Sequence, residues 1–316
     1  MSKLQSMQNT PAVLLIAFNR PEETEAVFEV IRQAAPPKLY FAVDGPRNND
    51  DIDKCDRVKS LVSRVDWSCL VQTRFNTTNM GCRDGVSSAI SWFFTAEEEG
   101  IILEDDCLPH PSFFPYCAEL LAKYRNDERI GHIGGANLQL GNVRGNASYY
   151  FSRLTHVWGW AGWRRVWQGY NADMPTLAGF TANILANSPS HEPFAAKWME
   201  NLQQTRNGNI NTWDYQYAYL NLINNRLSVI PNRNLITNIG FGPGATHTTG
   251  HHPFGNIPGE DIGDLVHPIF LIANTEADIF TQRLENPEVK KKGPLSRFWK
   301  SVRQTVSIRK DQVKER

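Results

Sequence analysis

The chain has 316 residues, 41% of them hydrophobic, and its 33 Lys plus Arg are balanced by 33 Asp plus Glu. A chain this long buries roughly 75% of its unfolded surface and needs no staple to fold, and the neutral balance leaves no electrostatic footprint for a nucleic acid. Five cysteines (Cys55, Cys69, Cys82, Cys107, Cys117) make an odd set without a C-x-x-C pair, which speaks against a disulfide framework or a zinc ribbon and for free thiols in a reducing, cytoplasmic setting.

The first half alternates strand and helix patterns. Residues 12–18 form an apolar run of seven, a strand too short for a signal or membrane anchor. Pro21, Glu22 and Glu23 then open a helix to about Gln33, with acids at the favourable end. A strand over 39–43 ends at the turn signature Asp44-Gly45-Pro46. A helix over 51–63, a strand over 69–73, a helix over 83–98 and a strand over 100–103 continue the series. Such β-α-β-α alternation predicts an α/β fold with a mostly parallel sheet flanked by helices, joined to a mixed α+β second half.

In that second half, helices are expected over 111–125, 162–168, 193–206 and 213–225, and strands over 130–134 and 149–151. A Gly/Asn-rich loop covers 137–146. The Gly-, His- and Pro-rich stretch 240–259 has the length and composition of a lid. The expected division is a flexible 1–10, a domain over 11–285 made of halves at 11–106 and 107–285, and a basic tail over 286–316.

Glu104-Asp105-Asp106 follows the apolar run Gly100-Ile101-Ile102-Leu103 directly. Acids clustered at the carboxyl end of a buried strand repel one another and resist desolvation, so a cation is expected to offset them. Hard oxygen ligands suit Mg2+ or Mn2+, ions that share their coordination between one or two carboxylates and substrate phosphates. A solvated acidic turn is the plainer alternative.

With these pieces in order, the chain resembles the GT-A glycosyltransferases that use nucleotide sugars, particularly the branch containing N-acetylglucosaminyltransferase I. The likeness lies in residues 11–20, Val43-Asp44-Gly45, Ile102 to Asp106, Pro111-Ser112-Phe113-Phe114, Trp158-Gly159-Trp160 and Thr212-Trp213-Asp214. The resemblance implies a Rossmann-like GT-A fold and an inverting, metal-dependent transfer of a hexosyl or N-acetylhexosaminyl group from a nucleoside-diphosphate sugar. Asp106 would ligate the cation, while Glu104 and Asp105 would contact the sugar and ribose. Arg20 and Asp44 would sit against the base, Asp44 accepting from the imide N–H of uracil, which favours a UDP-sugar. Asp214 would be the general base. An inverting transfer does need one carboxylate on the acceptor side, within reach of the attacking hydroxyl and unshared with the metal.

Further candidates follow from chemistry. Trp160 and Trp213 offer flat faces for a sugar ring, His247 could touch phosphate or metal, and Arg83 could neutralise a phosphate. For each a bland reading stands beside the sharp one: aromatic core for the tryptophans, a solvated loop for His247, and a helix start for Arg83. A turn-capping carboxylate is the alternative for Asp44, and a helix-start acid for Asp214. A sugar-nucleotide pyrophosphorylase would share the sheet and the cation, but Phe18-Asn19-Arg20-Pro21 stands where its Gly-x-Gly-x-Arg loop would be. An inactive saccharide-binding or membrane scaffold is the non-enzymatic alternative.

Residues 289–316 carry ten Lys or Arg against Asp311 and Glu315, a net charge of +8, and leave −8 on the remainder. Leu295, Phe298, Trp299, Val302 and Val306 fall on one helical stripe. A basic amphipathic helix of this kind suits an anionic membrane face, and with it a lipid-linked saccharide or other glycan acceptor, against the alternative of a solubilising tail.

Overall fold

The computed structural model describes residues 10–241 and 254–287. The site lies where the first four strands end. β1 (Val13–Ala17) is buried at all five positions, as a strand covered on both faces must be. It pairs in parallel with β2 (Lys38–Val43), which pairs in parallel with β3 (Leu70–Phe75). On its other side β1 pairs in parallel with β4 (Glu99–Glu104), placing Ile16 opposite Glu104.

Helix α1 (Pro21–Ala34) has Pro at its start, Glu22 and Glu23 in its first turn and Arg32 in its last, and buries Thr24, Val27, Phe28 and Ile31. These positions recur at the 3–4 spacing of one helix face. Its end is set by Ala35 in the left-handed region at φ 46°, a conformation that closes a helix. Asn48 caps α2 (Asn49–Ser60) by accepting from the Asp50 N–H. α3 (Ser87–Ala96) is preceded by a π-helical turn over Cys82–Val86, and α4 (Phe113–Tyr124) follows the short strand β5 (Cys107–Pro109).

The second half completes an eight-stranded sheet in the order β3-β2-β1-β4-β8-β6-β9-β7. Its strands are β6 (Ile130–Gly134), β7 (Tyr149–Ser152), β8 (Trp160–Trp163) and β9 (Leu227–Pro231). Four of the seven pairings are parallel, and β8 runs antiparallel to both β4 and β6. β10 (Ile236–Asn238) pairs separately with β5. The remaining helices are α5 (Arg164–Trp167), α6 (Ala182–Ala186), α7 (Ala195–Arg206), α8 (Asp214–Ile223) and α9 (Thr275–Glu285). The α/β expectation is met by this mostly parallel, helix-flanked, Rossmann-like sheet.

Two local expectations fail. A helix over 162–168 shrinks to α5, because Trp160–Trp163 is needed as the strand that closes the gap between β4 and β6, buried at all four positions. Trp160, expected to face substrate, is 1% exposed. It packs among His132, Trp213 and Tyr217, with its ring 4.9 Å from that of Tyr217, and its indole Nε1 has no hydrogen-bond partner among the described residues. The four-residue period of short helices and the two-residue period of strands are not separable in a run so rich in tryptophan and glycine. All five cysteines are free thiols. Among the described residues no helix is long and apolar enough to cross a membrane.

His132 is fully buried beside Trp160, and its Nε2 meets the carbonyl of His156 at 2.9 Å. Burial holds its imidazole down at about 3, and likewise holds buried His191 at about 4. The unfolded chain, with ordinary histidines near 6.5, therefore binds more protons than the folded one as pH falls below 6.5, and stability is lost across that window. Each such group contributes a slope of about 1.4 kcal/mol per pH unit. Buried carboxyls pushed up by burial, Glu285 to about 8 among them, act in the opposite sense over the same window, so the test is a difference: in urea unfolding between pH 7.5 and 4, His132→Gln, which keeps a donor but does not titrate, should shift the slope from that of wild type by about 1.4 kcal/mol per pH unit toward less loss at low pH. An unchanged slope in that variant would remove His132 from the account.

Candidate functional site

A cleft of about 460 Å³ opens beyond the carboxyl ends of β1, β2 and β4. The chain leaves β1 toward β2 on one side and reaches β4 on the other, so the cleft lies at the point where strand order reverses, the position at which open α/β sheets bind ligands.

At its floor, the run that ends β4 meets the residues that follow β1. Asp105 is 3% exposed. It accepts from the Phe18 N–H at 3.1 Å and from Arg20 Nη2 at 2.7 Å. The other arm of the same guanidinium, Nη1, contacts Asp106 Oδ2 at 2.9 Å. Burial works against the charged form of Arg20, but Asp105 and Asp106 outweigh it and hold its pKa above the ordinary value. Burial pushes the Asp105 carboxyl up, with Arg20 and the Phe18 N–H pulling against it. Arg20, expected against a nucleotide base, is thus placed by the structure on the acids.

Glu104 makes no hydrogen bond and no close ion pair among the described residues, and the Arg20 charge reaches it only through space. Burial, followed by the charges of Asp106, Asp105 and Asp214, pushes its carboxyl up to about 8. Three acids thus meet one guanidinium, and Glu104 is the carboxylate left without its own cation. This hard oxygen set fits Mg2+ or Mn2+ in kind and charge. No group of three metal-ligating side chains converges among the described residues, so protein carboxylates would fill only part of such an ion's coordination. His247 lies outside the described residues.

The opposite wall carries Asp214, the first residue of α8. Thr212 Oγ1 donates to its Oδ1 at 2.6 Å and the Tyr215 N–H donates to the same oxygen at 2.8 Å. Oδ2 is left without a protein donor among the described residues. Asp214 also lines an adjoining cavity of about 240 Å³ with His156, Trp198, Asn201 and Glu285. Trp213 lines the cleft although it is only 2% exposed. Arg83 does not line it; its guanidinium turns to its neighbour Asp84 at 2.8 Å.

Asp44 differs from the free acceptor expected for a uracil imide. Its carboxylate receives the N–H groups of Gly45, Met80 and Gly81 and the side-chain amides of Asn76 and Asn79, all at 2.9–3.1 Å. A carboxylate has about four lone-pair sites, and these donors take them up. The capping alternative describes the observed state: Asp44 gathers residues 76–81 into the cleft wall. Gly45 must be glycine, since a Cβ there would sit 2.5 Å from the Thr78 backbone.

Two further cleft cations escaped the sequence reading. Arg47 pairs with Asp51 at 2.8 Å and lies 5.0 Å from the Phe18 ring centroid. Arg74 donates to the Ser88 carbonyl at 2.7 Å and has no carboxylate partner among the described residues. The strand expected over 69–73 stops one residue short of Arg74, and extending its alternation to Phe75 would have been the signal. Cys82 also lines the cleft, its thiol pushed up to about 12 by burial and then by Glu104 and Asp214, so it remains protonated.

No family model matches the chain, and no curated protein matches it. Among solved structures, HddC from Yersinia pseudotuberculosis aligns at 9% identity over 54% of this chain and 87% of that one, with a TM-score of 0.33. UDP-glucose pyrophosphorylase complexed with UDP-glucose aligns at 10% identity over 88% of this chain and 99% of that one, with a TM-score of 0.35. Superpositions this loose carry no argument about activity.

Asp44→Ala should free residues 76–81 and cost about 2–4 kcal/mol, since hydrogen bonds to a charged group contribute about 1.5–3 kcal/mol each and are not additive. Amide exchange at Met80 and Gly81 should accelerate at least tenfold, with β1 amides far less affected. Unchanged exchange at those two amides would mean that another contact holds the loop.

Proposed function

We propose that the protein is a metal-dependent, inverting GT-A glycosyltransferase that moves a sugar from a nucleoside-diphosphate sugar, a UDP-sugar first among them, to a hydroxyl of a glycan or lipid-linked saccharide. The observation that carries this reading is the placement of an acid run and a guanidinium across the strand-order reversal, with a carboxylate, Asp214, anchored through one oxygen in the same cleft.

Asp106 with Glu104 would hold Mn2+ or Mg2+, which when bound supplies positive charge for the departing diphosphate. The rest of the chemistry belongs to the chain's own residues. Thr212 and the Tyr215 N–H fix Asp214 so that Oδ2 can take the acceptor hydroxyl's proton while that oxygen bonds to the anomeric carbon. The bond from this carbon to the diphosphate breaks with its electron pair leaving on the phosphate oxygen. One base and no protein nucleophile give inversion. The base end of the donor lies toward Asn76 and Asn79, whose NH2 groups are turned to Asp44, so their amide oxygens are the acceptors for a uracil imide.

The expected association with an anionic membrane through 289–316 lies outside the described residues. On the described surface, Ile269, Phe270 and Ile272 are 89%, 72% and 72% exposed just ahead of α9, after which that basic segment follows. Deleting 289–316 should abolish co-sedimentation with phosphatidylserine-containing vesicles, and undiminished sedimentation would reject the tail as the anchor.

Calorimetric titration of UDP should show binding with Mn2+ that EDTA removes and Asp106→Asn weakens at least tenfold. Asp214→Asn should keep that binding and lose at least a hundredfold in donor turnover. Release of pyrophosphate from a nucleoside triphosphate and a sugar 1-phosphate would instead identify a pyrophosphorylase, and silence with UDP, GDP, CMP and dTDP alike would leave the binding scaffold.

A further inference from the structure

Arg20 is the cation that the acid run already possesses. Its two arms reach two different carboxylates, and their settings are unequal: the Asp105 side chain is 4% exposed and the Asp106 side chain 20%. Asp105 is also pinned by the Phe18 N–H through its other oxygen, so the Nη2 contact is made to a buried, anchored carboxylate. The Nη1 contact to Asp106 faces the cleft. Behind Asp106 the backbone of Gly240 presses so close that a Cβ there would lie 2.2 Å from Asp106 Oδ2 and 2.9 Å from Arg20 Nη1. The Oδ2 atom is therefore covered by Arg20 on one side and by Gly240 on the other.

A divalent ion that takes Asp106 Oδ2 in the free protein has to displace a charge-assisted hydrogen bond held at 2.9 Å, and one that binds through Oδ1, which meets the Cys107 Sγ at 3.5 Å, does so beside the positive charge of Arg20. Such bonds are about twice as strong as neutral ones. A diphosphate changes the balance, because a guanidinium matches phosphate oxygens as well as it matches carboxylate. We propose that Arg20 is the resident counter-ion of the acid run, and that it pivots on Asp105 to pass Nη1 from Asp106 to the donor's diphosphate, so that divalent cation and nucleotide enter as one coupled event. This rests on the donor site proposed above. Arg20 is then a positioning residue that keeps the acids together when the cleft is empty and keeps lone metal ions out.

The test is electron paramagnetic resonance of free Mn2+ against the full-length chain, alone and with UDP. Wild type should bind Mn2+ weakly alone and at least tenfold more tightly with UDP. Arg20→Gln should bind Mn2+ alone at least tenfold more tightly than wild type, and UDP should then add less than twofold. Arg20→Lys, which keeps the charge but cannot span both carboxylates, should fall between them, and it preserves the comparison if Arg20→Gln folds poorly. Mn2+ binding alone that is no tighter in either variant than in wild type overturns the proposal. If UDP leaves Mn2+ binding unchanged in wild type while Arg20→Gln binds the ion more tightly, the donor reading fails and Arg20 stands as the resident cation.

Discussion

The structure turns on one electrostatic constraint: three consecutive carboxylates end a strand buried on both faces, and the protein must keep them there. Without a counter-charge this arrangement would cost several kcal/mol per ion through desolvation and mutual repulsion. Arg20 meets part of that cost by lying across Asp105 and Asp106. The location follows from topology. β1 and β4 are parallel neighbours, so the residue after one strand end and the acids at the other are brought side by side. The same neighbour relation creates the crevice in which a ligand can sit.

Around this ion pair, separate devices build the cleft wall. Asp44 draws residues 76–81 inward with a full set of N–H donors. The π-helical turn over Cys82–Val86 begins directly after that loop, and such turns cluster at functional sites. On the far side, a packed aromatic core of Trp160, Trp167, Trp213 and Tyr217 backs the segment that presents Asp214. Rings packed at this density yield little, so the segment carrying Asp214 rests on a rigid wall. Burial of Trp160 is thus a support for the site instead of a contact within it.

Charge is distributed in a way that local inspection of the chain would not show. Asp44 and Asp214 are each held by hydrogen bonds, whereas Glu104 has neither a hydrogen-bond donor nor a close ion pair among the described residues, and Arg20 acts on it only through space. Carboxylates of one cleft therefore divide into anchored ones and one that is electrostatically unfinished. That difference leaves a single cavity with carboxylates held in place and a region receptive to added positive charge.

Much of the first half was legible from residue order alone, because strands covered on both faces are continuous apolar runs and each is followed by an amphipathic helix with recognisable ends, as at Pro21 and Asn48. The acid run after Leu103 marked the site for the same local reason: charge where burial is expected. Tertiary structure alone decided the rest. It placed Arg20 on the acids, because strand adjacency is not written in either segment. It saturated Asp44 with donors that lie some thirty-odd positions away in the chain. It also buried Trp160, because the sheet required a strand between β4 and β6 where glycine and tryptophan give no clear period. Local sequence determines which segments are apolar and where charge is concentrated; which charges meet depends on strand order, and that is set only when the whole core packs.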